Sequence, residues 1–321
     1  MRAHKLILFC NKIFLVICLG LYSLILERLY FYGETLKKKN RISMSTYEDY
    51  NETSHIYDDQ RMAAGTDVMA AMLQFYSGKK LQDVHILDAG CGTGNYAKEF
   101  ADMDVGQITI LDASSGMLEK AKCKLADYMA RGVVKEVIEA KMPPIPFPDE
   151  SFDAVVFNLL MNHLDIDNPA FPNSVKTLKE SVRILRPNGL IIISTVLATT
   201  LSRATWYSQL NMELTNRHNA SVLPSLEQFE QMFEDAGINC IQKLNILGSD
   251  IYKTYYNLDD ILDESLRAPR AYWTFATKEE VAEVVQKVKA LKAKGEYEKW
   301  VKEHDHTRTT GVVTIFFCKP N

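Results

Sequence analysis

Ten residues, LDAGCGTGNY from Leu87 to Tyr96, restrict the fold of this chain more than any other stretch. Three glycines, Gly90, Gly92 and Gly94, fall within five positions, directly after the apolar Val84, Ile86 and Leu87. The pattern predicts a buried strand over Val84–Asp88, a bare turn, and a helix from Gly94 to Phe100. Such a turn aims backbone N–H groups and the positive end of the helix at a ligand. Glycine is required because a Cβ would block both the turn and the ligand's approach. A second strand, Ile108–Asp112, ends in an acid twenty-two residues past Gly90, where a carboxylate can accept both hydroxyls of a ribose. The dinucleotide fingerprint GxGxxG would need its third glycine at position 95, and that residue is Asn95. The glycine spacing therefore disfavours a nicotinamide dinucleotide.

The rest of the chain alternates. Helical spacing runs through Met62, Val68, Met69, Met72, Leu73 and Tyr76, which predicts a helix over Asp58–Tyr76. Ser114 and Ser115 can cap a helix whose apolar face is Met117, Leu118, Ala121, Leu125 and Tyr128. Val133–Ala140 reads as a less regular strand and Phe152–Asn158 as a fully apolar one. Val175, Leu178, Val182 and Leu185 mark another helix, and Pro187-Asn188-Gly189 turns the chain into the strand Leu190–Val196. Strands apolar on both faces, alternating with helices, imply an α/β fold with a parallel sheet covered on both sides. Leu226–Ala236 is expected helical, with strands over Asn239–Leu247 and Gly311–Cys318. Between those strands lies an insertion, about 248–310, with its own helix near Lys278–Lys294, too long for a plain loop and expected to form a cap.

The phrase LDAGCGTG resembles the first motif of the class I S-adenosylmethionine-dependent methyltransferases. The resemblance extends to LDASSGML at 111–118, PFPDESFDAVVFN at 146–158 and ILRPNGLIIIS at 184–194, covering about 82–196. The most similar subgroup is the broad type 11 methyltransferase domain. It implies a doubly wound, Rossmann-like seven-stranded sheet, mostly parallel with an antiparallel last strand, and a helical, aromatic insertion between the last two strands. It also implies S-adenosyl-L-methionine as cofactor. Asp88, Gly90, Gly92 and Gly94 would hold its methionine and ribose part, Asp112 the ribose hydroxyls, and Ala113 and Met117 would lie near the adenine. Glu139-Ala140 is the nearest match to the Asp-Ala pair that contacts the adenine in many relatives, although the gap to Pro146-Phe147 is one residue longer than usual. Asn158 would lie beside the methionine end.

A sulfonium already carries its leaving group, so a base is needed only when the acceptor is protonated. His163, just beyond the Phe152–Asn158 strand, is the candidate base, with packing or capping as its alternative role. Trp206, Tyr207, Tyr252, Tyr255, Tyr256, Tyr272 and Trp273 either wall an apolar substrate pocket or pack a core. Methyl transfer to a small-molecule or lipid-like acceptor is the leading expectation. An aminopropyl transferase on the same fold and a catalytically silent cofactor-binding scaffold stay open beside it.

A net charge of −4 over 321 residues offers no basic face, so nucleic acid is not an expected partner. Six cysteines, at 10, 18, 91, 123, 240 and 318, show no CxxC-like clustering. Neither a zinc site nor a disulfide framework is expected, and the compartment is read as reducing. Residues 1–43 stand apart. Ile13–Leu26 carries no charge, and Leu6–Phe9 and Leu29–Tyr32 extend the apolar run towards the ~20 residues that a span needs. A single membrane anchor is expected there, with the domain at 44–321 facing the cytosol because basic residues are more numerous after Leu26 than before Ile13. A cytoplasmic protein with an unanchored leader is the alternative.

Overall fold

The computed structural model describes residues 58, 62–165, 168, 170–248, 258–267 and 271–321. All of them belong to one unit, Tyr47–Asn321. The leader and its expected anchor lie outside the described residues, as do Tyr252, Tyr255 and Tyr256. Among the described residues no helix is long and apolar enough to cross a membrane.

Seven strands form one sheet: β1 His85–Ala89, β2 Gln107–Asp112, β3 Val134–Glu139, β4 Phe152–Asn158, β5 Leu185–Val196, β6 Ile238–Ile246 and β7 Val313–Pro320. Their order is β3-β2-β1-β4-β5-β7-β6. The first five are parallel, and β7 runs antiparallel to both β5 and β6. β1 and β4 are buried along their whole length, which is why they read as unbroken apolar runs. The doubly wound α/β fold is therefore as the sequence implies. The strand order reverses between β1 and β4, and ligands of such sheets bind in the crevice outside the strand ends at that reversal.

Helix α1, Thr66–Ser77, is shorter than the expected Asp58–Tyr76, because the chain is not helical at Met62–Ala64 and turns at Gly65, φ 77°. Helices α2 (Asn95–Asp102) and α3 (Ser115–Lys124) follow β1 and β2, and Ser114 caps α3 by accepting from Met117 N. The short α4 (Met161–Leu164) and then α5 (Pro172–Ile184) link β4 to β5. β5 starts earlier than expected: its pairing with β4 begins at Leu185 and shifts register before Leu190, so the Pro-Asn-Gly turn is an irregularity within the strand.

Two helices between β5 and β6, α6 (Ala198–Ala204) and α7 (Met212–Val222), have no counterpart in the sequence reading; α8 (Leu226–Ala236) matches it. The insertion is helical where it is described, with α9 (Lys278–Ala293) and α10 (Tyr297–His304) its longest elements. Val284 and Val288 of α9 are buried, with Val281 and Leu291 packed against the same core. The insertion docks on α6 and α7: Arg217 pairs with Glu280 at 2.6 Å, Lys287 Nζ donates to Leu210 O, and His306 N donates to Ala204 O.

Tyr272 and Trp273 of the insertion join Trp206 and Tyr207, which precede α7, in the core. Trp206, Tyr207, Tyr272 and Trp273 are all buried, and their rings meet edge to face, Tyr272 also touching His218. The Tyr272 hydroxyl lies 2.8 Å from Thr215 Oγ1, which tethers the insertion to α7. Thr215 Oγ1 retains bonds to the Ser208 and Asn211 carbonyls when that tether is lost. Tyr272→Phe is therefore expected to cost about 1 kcal/mol, the net value of one buried hydrogen bond. In a domain of this size that lowers the midpoint by about 2–4 °C, read by thermal denaturation.

Candidate cofactor and active site

The glycine turn folds back on β2: Gly90 N and Cys91 N both donate to Leu111 O, at 2.7 and 3.0 Å. The glycines serve different ends. At Gly90, φ 78°, a Cβ would lie 2.8 Å from the Leu160 side chain, so this glycine permits close packing. Gly94 likewise faces Leu125 and Ala121 of the α3 region. At Gly92, φ 53°, a Cβ would meet nothing within 4 Å. The protein leaves that side of the turn open.

Asp112, at the tip of β2, points its carboxylate at this turn. Gly92 N donates to Oδ2 and Ser114 N to Oδ1, both at 2.8 Å. Burial raises its pKa, and the bonds from Ser114 and Gly92 oppose the rise. Ala113 is half-buried beside it, whereas the Met117 side chain is buried. Glu139 is directly opposite Asp112 in the β2–β3 register and exposed; Ala140 N donates to Asp112 O at 3.0 Å. The β3 tip thus lies beside the tip of β2.

On the other flank, Asn158 ends β4, and its amide donates to Asp88 Oδ1 at 3.2 Å. Asp88 is fully buried under the turn, and neither its Oδ2 nor Asn158 Oδ1 has a hydrogen-bond partner. Burial pushes its carboxyl up to about 7; Asn158 opposes this and the Asp112 charge adds to it. Folded, Asp88 holds its proton to about pH 7, but unfolded it releases it near 3.8. The folded chain therefore binds more protons between those values, and stability falls as pH rises through that window and levels off above it. Asp88→Asn should flatten this decline, as read from urea midpoints at pH 5 and pH 7.

The open face of the turn forms one wall of a cleft of about 380 Å³, counting its mouth; Asn95 and Tyr96 continue that wall, and Asn158, Leu159 and Met62 complete the lining. Leu159 takes a left-handed φ of 57° and donates its N–H to Ser194 O, a strained turn of the kind that gathers at functional sites. His163 follows on α4, half-buried, with its ring nitrogen Nε2 3.4 Å from Asn162 Nδ2. The structure thus gathers Gly90, Gly92, Gly94, Asp112, Ala113, Glu139, Ala140 and Asn158 along one sheet edge. It places Asp88 beneath them and Met117 in packed surroundings.

One cluster escaped the sequence. Lys124, at the end of α3, donates to Asp58 Oδ1 at 2.8 Å, to Thr93 Oγ1 at 3.1 Å and to Asn95 Oδ1. Thr93 Oγ1 also donates to Asp58 Oδ1. Ala64 N donates to the Tyr96 hydroxyl, so the stretch before α1 is tied to the turn at two points. Thr93 and Asn95 stand inside LDAGCGTGNY, but nothing near Lys124 in sequence marks it.

The Asp112 carboxylate beside the glycine turn, joined by Asp88 beneath it when ionised, suits a ligand with positive charge and repels a pyrophosphate. Residues 87–193 match a family model described as "Methyltransferase domain". Together with the fold and the turn, this match supports reading residues 87–193 as a class I S-adenosylmethionine-dependent methyltransferase domain. Among relatives, the ubiquinone/menaquinone biosynthesis C-methyltransferase UbiE of Pseudoalteromonas translucida is 27% identical, over 50% of this chain and 66% of its own length. A malonyl-acyl-carrier-protein O-methyltransferase of Serratia marcescens is 31% identical over 43% of this chain and 51% of its own. The chain thus spans less than two thirds of these curated relatives. A solved structure of a protein assigned to an antibiotic biosynthesis pathway of Anabaena variabilis superposes with a TM-score of 0.60 at 19% identity, covering 81% of this chain and 99% of that one, which is a likeness of fold.

Proposed function

We propose that this protein transfers the methyl group of S-adenosylmethionine to a small-molecule or lipid-like acceptor. The observation that carries the reading is the juxtaposition of the open face at Gly92 with the Asp112 carboxylate and the buried Asp88 beneath it. Bound there, the cofactor supplies a methyl on a sulfonium with its leaving group already in place. Asp112 binds the ribose hydroxyls, and Glu139 and Ala140 flank the base. Asn158 orients Asp88, whose charge, when ionised, favours a cationic ligand. His163, on α4 just beyond β4, is the base in this reading and takes a proton from a hydroxyl, enol or amine acceptor, and the insertion helps choose that acceptor. The UbiE and malonyl O-methyltransferase names support an acceptor that is small or lipid-like.

The test is incubation of the full-length chain with methyl-labelled cofactor and a metabolite and lipid extract. Label in an extractable compound supports the proposal. Label on macromolecules alone, or cofactor binding without any transfer, overturns it. The apolar run in residues 1–43 supports attachment to a membrane, with the domain on the cytosolic side. Full-length protein that stays wholly soluble with its amino terminus intact would contradict that part.

A further inference from the structure

β6 is the outer strand of the sheet beside β7, and Cys240 of β6 is the register partner of Cys318 of β7. Residues directly opposed on antiparallel strands carry Cβ atoms about 4.5–5.5 Å apart, and a disulfide needs about 3.5–4.5 Å. The gap is small, and the register shift between Cys240 and Gln242 places an irregularity next to the pair, where the backbone has room to adjust. Both thiols point to the face covered by α8, where Cys318 is fully buried and Cys240 half-buried.

The two thiols are also unlike each other. Cys240 Sγ donates to Gln242 O at 3.4 Å. The neighbouring Cys318 thiol, helped by Lys243, holds the Cys240 pKa below the usual thiol range, against burial and the nearby Glu230. Cys240 and burial push Cys318 up. Cys91 is buried with its thiol pushed up by burial, and Cys123 is exposed and free. We propose that Cys240 and Cys318 form a two-thiol redox site, outside the methyl-transfer cleft, that reacts with hydroperoxides and closes into a cross-strand disulfide.

The chemistry balances. The Cys240 thiolate attacks the outer peroxide oxygen: an S–O bond forms, the O–O bond breaks, and the alkoxide leaves and takes up a proton. Cys240 is now a sulfenic acid. Cys318 then attacks Cys240 Sγ: the S–S bond forms, the S–O bond breaks, and hydroxide leaves with the Cys318 proton as water. Two thiols and one hydroperoxide give one disulfide, one alcohol and one water. In a reducing compartment such a bond is transient and is reversed by thiols.

The experiment treats the full-length protein with hydrogen peroxide, alkylates it under denaturing conditions, and maps peptides by mass spectrometry with and without prior dithiothreitol. The expected result is a linked Cys240–Cys318 peptide that dithiothreitol reverses. In Cys318→Ala, Cys240 should accumulate as a sulfenic acid that dimedone traps. If that variant fails to fold, Cys240→Ser replaces it, and there Cys318 should stay alkylatable after peroxide. The proposal is overturned if Cys240 and Cys318 remain alkylatable at doses that oxidise Cys123. It is equally overturned if Cys318 is oxidised as readily in Cys240→Ser as in the parent.

Discussion

Gly92→Asn should leave the protein folded and weaken S-adenosylmethionine binding by about 100-fold or more, a loss of about 2.7 kcal/mol. The two halves of this expectation rest on different features of one position. Asn tolerates the left-handed region better than other side chains, so φ 53° at Gly92 imposes little strain. A Cβ there meets no protein atom within 4 Å, so no clash spreads into the core. The new side chain does, however, stand in the space where the cofactor would approach the turn. Thermal denaturation and calorimetric titration on the same samples separate the effects. The contrast is Gly90→Ala, where the Cβ meets Leu160 at 2.8 Å and the melting temperature should fall. If Gly92→Asn binds as the parent does, the open face at Gly92 is not ligand space.

Asp112→Ala should weaken the same binding about tenfold or more, because each hydrogen bond to a charged group contributes about 1.5–3 kcal/mol. Two losses add. The ribose hydroxyls lose their acceptor, and the N–H groups of Gly92 and Ser114 lose theirs, so the turn is less well organised before binding. Asp112→Asn keeps one acceptor oxygen without the charge and should fall between parent and Ala. Unchanged affinity in a folded Asp112→Ala protein would contradict the placement of the ribose.

How far the sequence could be read follows from where each element lies. β4 and α8 were legible to the residue, since one is buried on both faces and the other carries a clean apolar stripe with a capping box at Ser225 and Gln228. β3 was harder because it is the outer strand at its end of the sheet and most of its side chains are at least partly exposed. α7 was missed for a chemical reason: beside Leu214 it buries Thr215, His218 and Asn219, so it shows no apolar period. In the site, the glycines and Asp112 stood in local motifs. The Asp88–Asn158 bond spans 70 positions and the Lys124–Asp58 pair 66, and no local pattern reports such contacts. The Cys240–Cys318 pairing is hidden in the same way, since only the strand register brings them together. Tyr272 and Trp273 of the insertion were visible as residues but not as part of a cluster, and the fold resolves them as core.

The central claim is that the turn over Gly90–Gly94 with Asp112 is a site for a sulfonium nucleoside and not for a dinucleotide. Isothermal titration of the full-length protein with S-adenosylmethionine, its demethylated product and NAD tests it most directly. Saturable binding of S-adenosylmethionine and of the product is expected, lost or strongly weakened in Gly92→Asn and Asp112→Ala, with no binding of NAD. Binding of NAD in place of S-adenosylmethionine, or S-adenosylmethionine affinity untouched by both substitutions in folded protein, would contradict it.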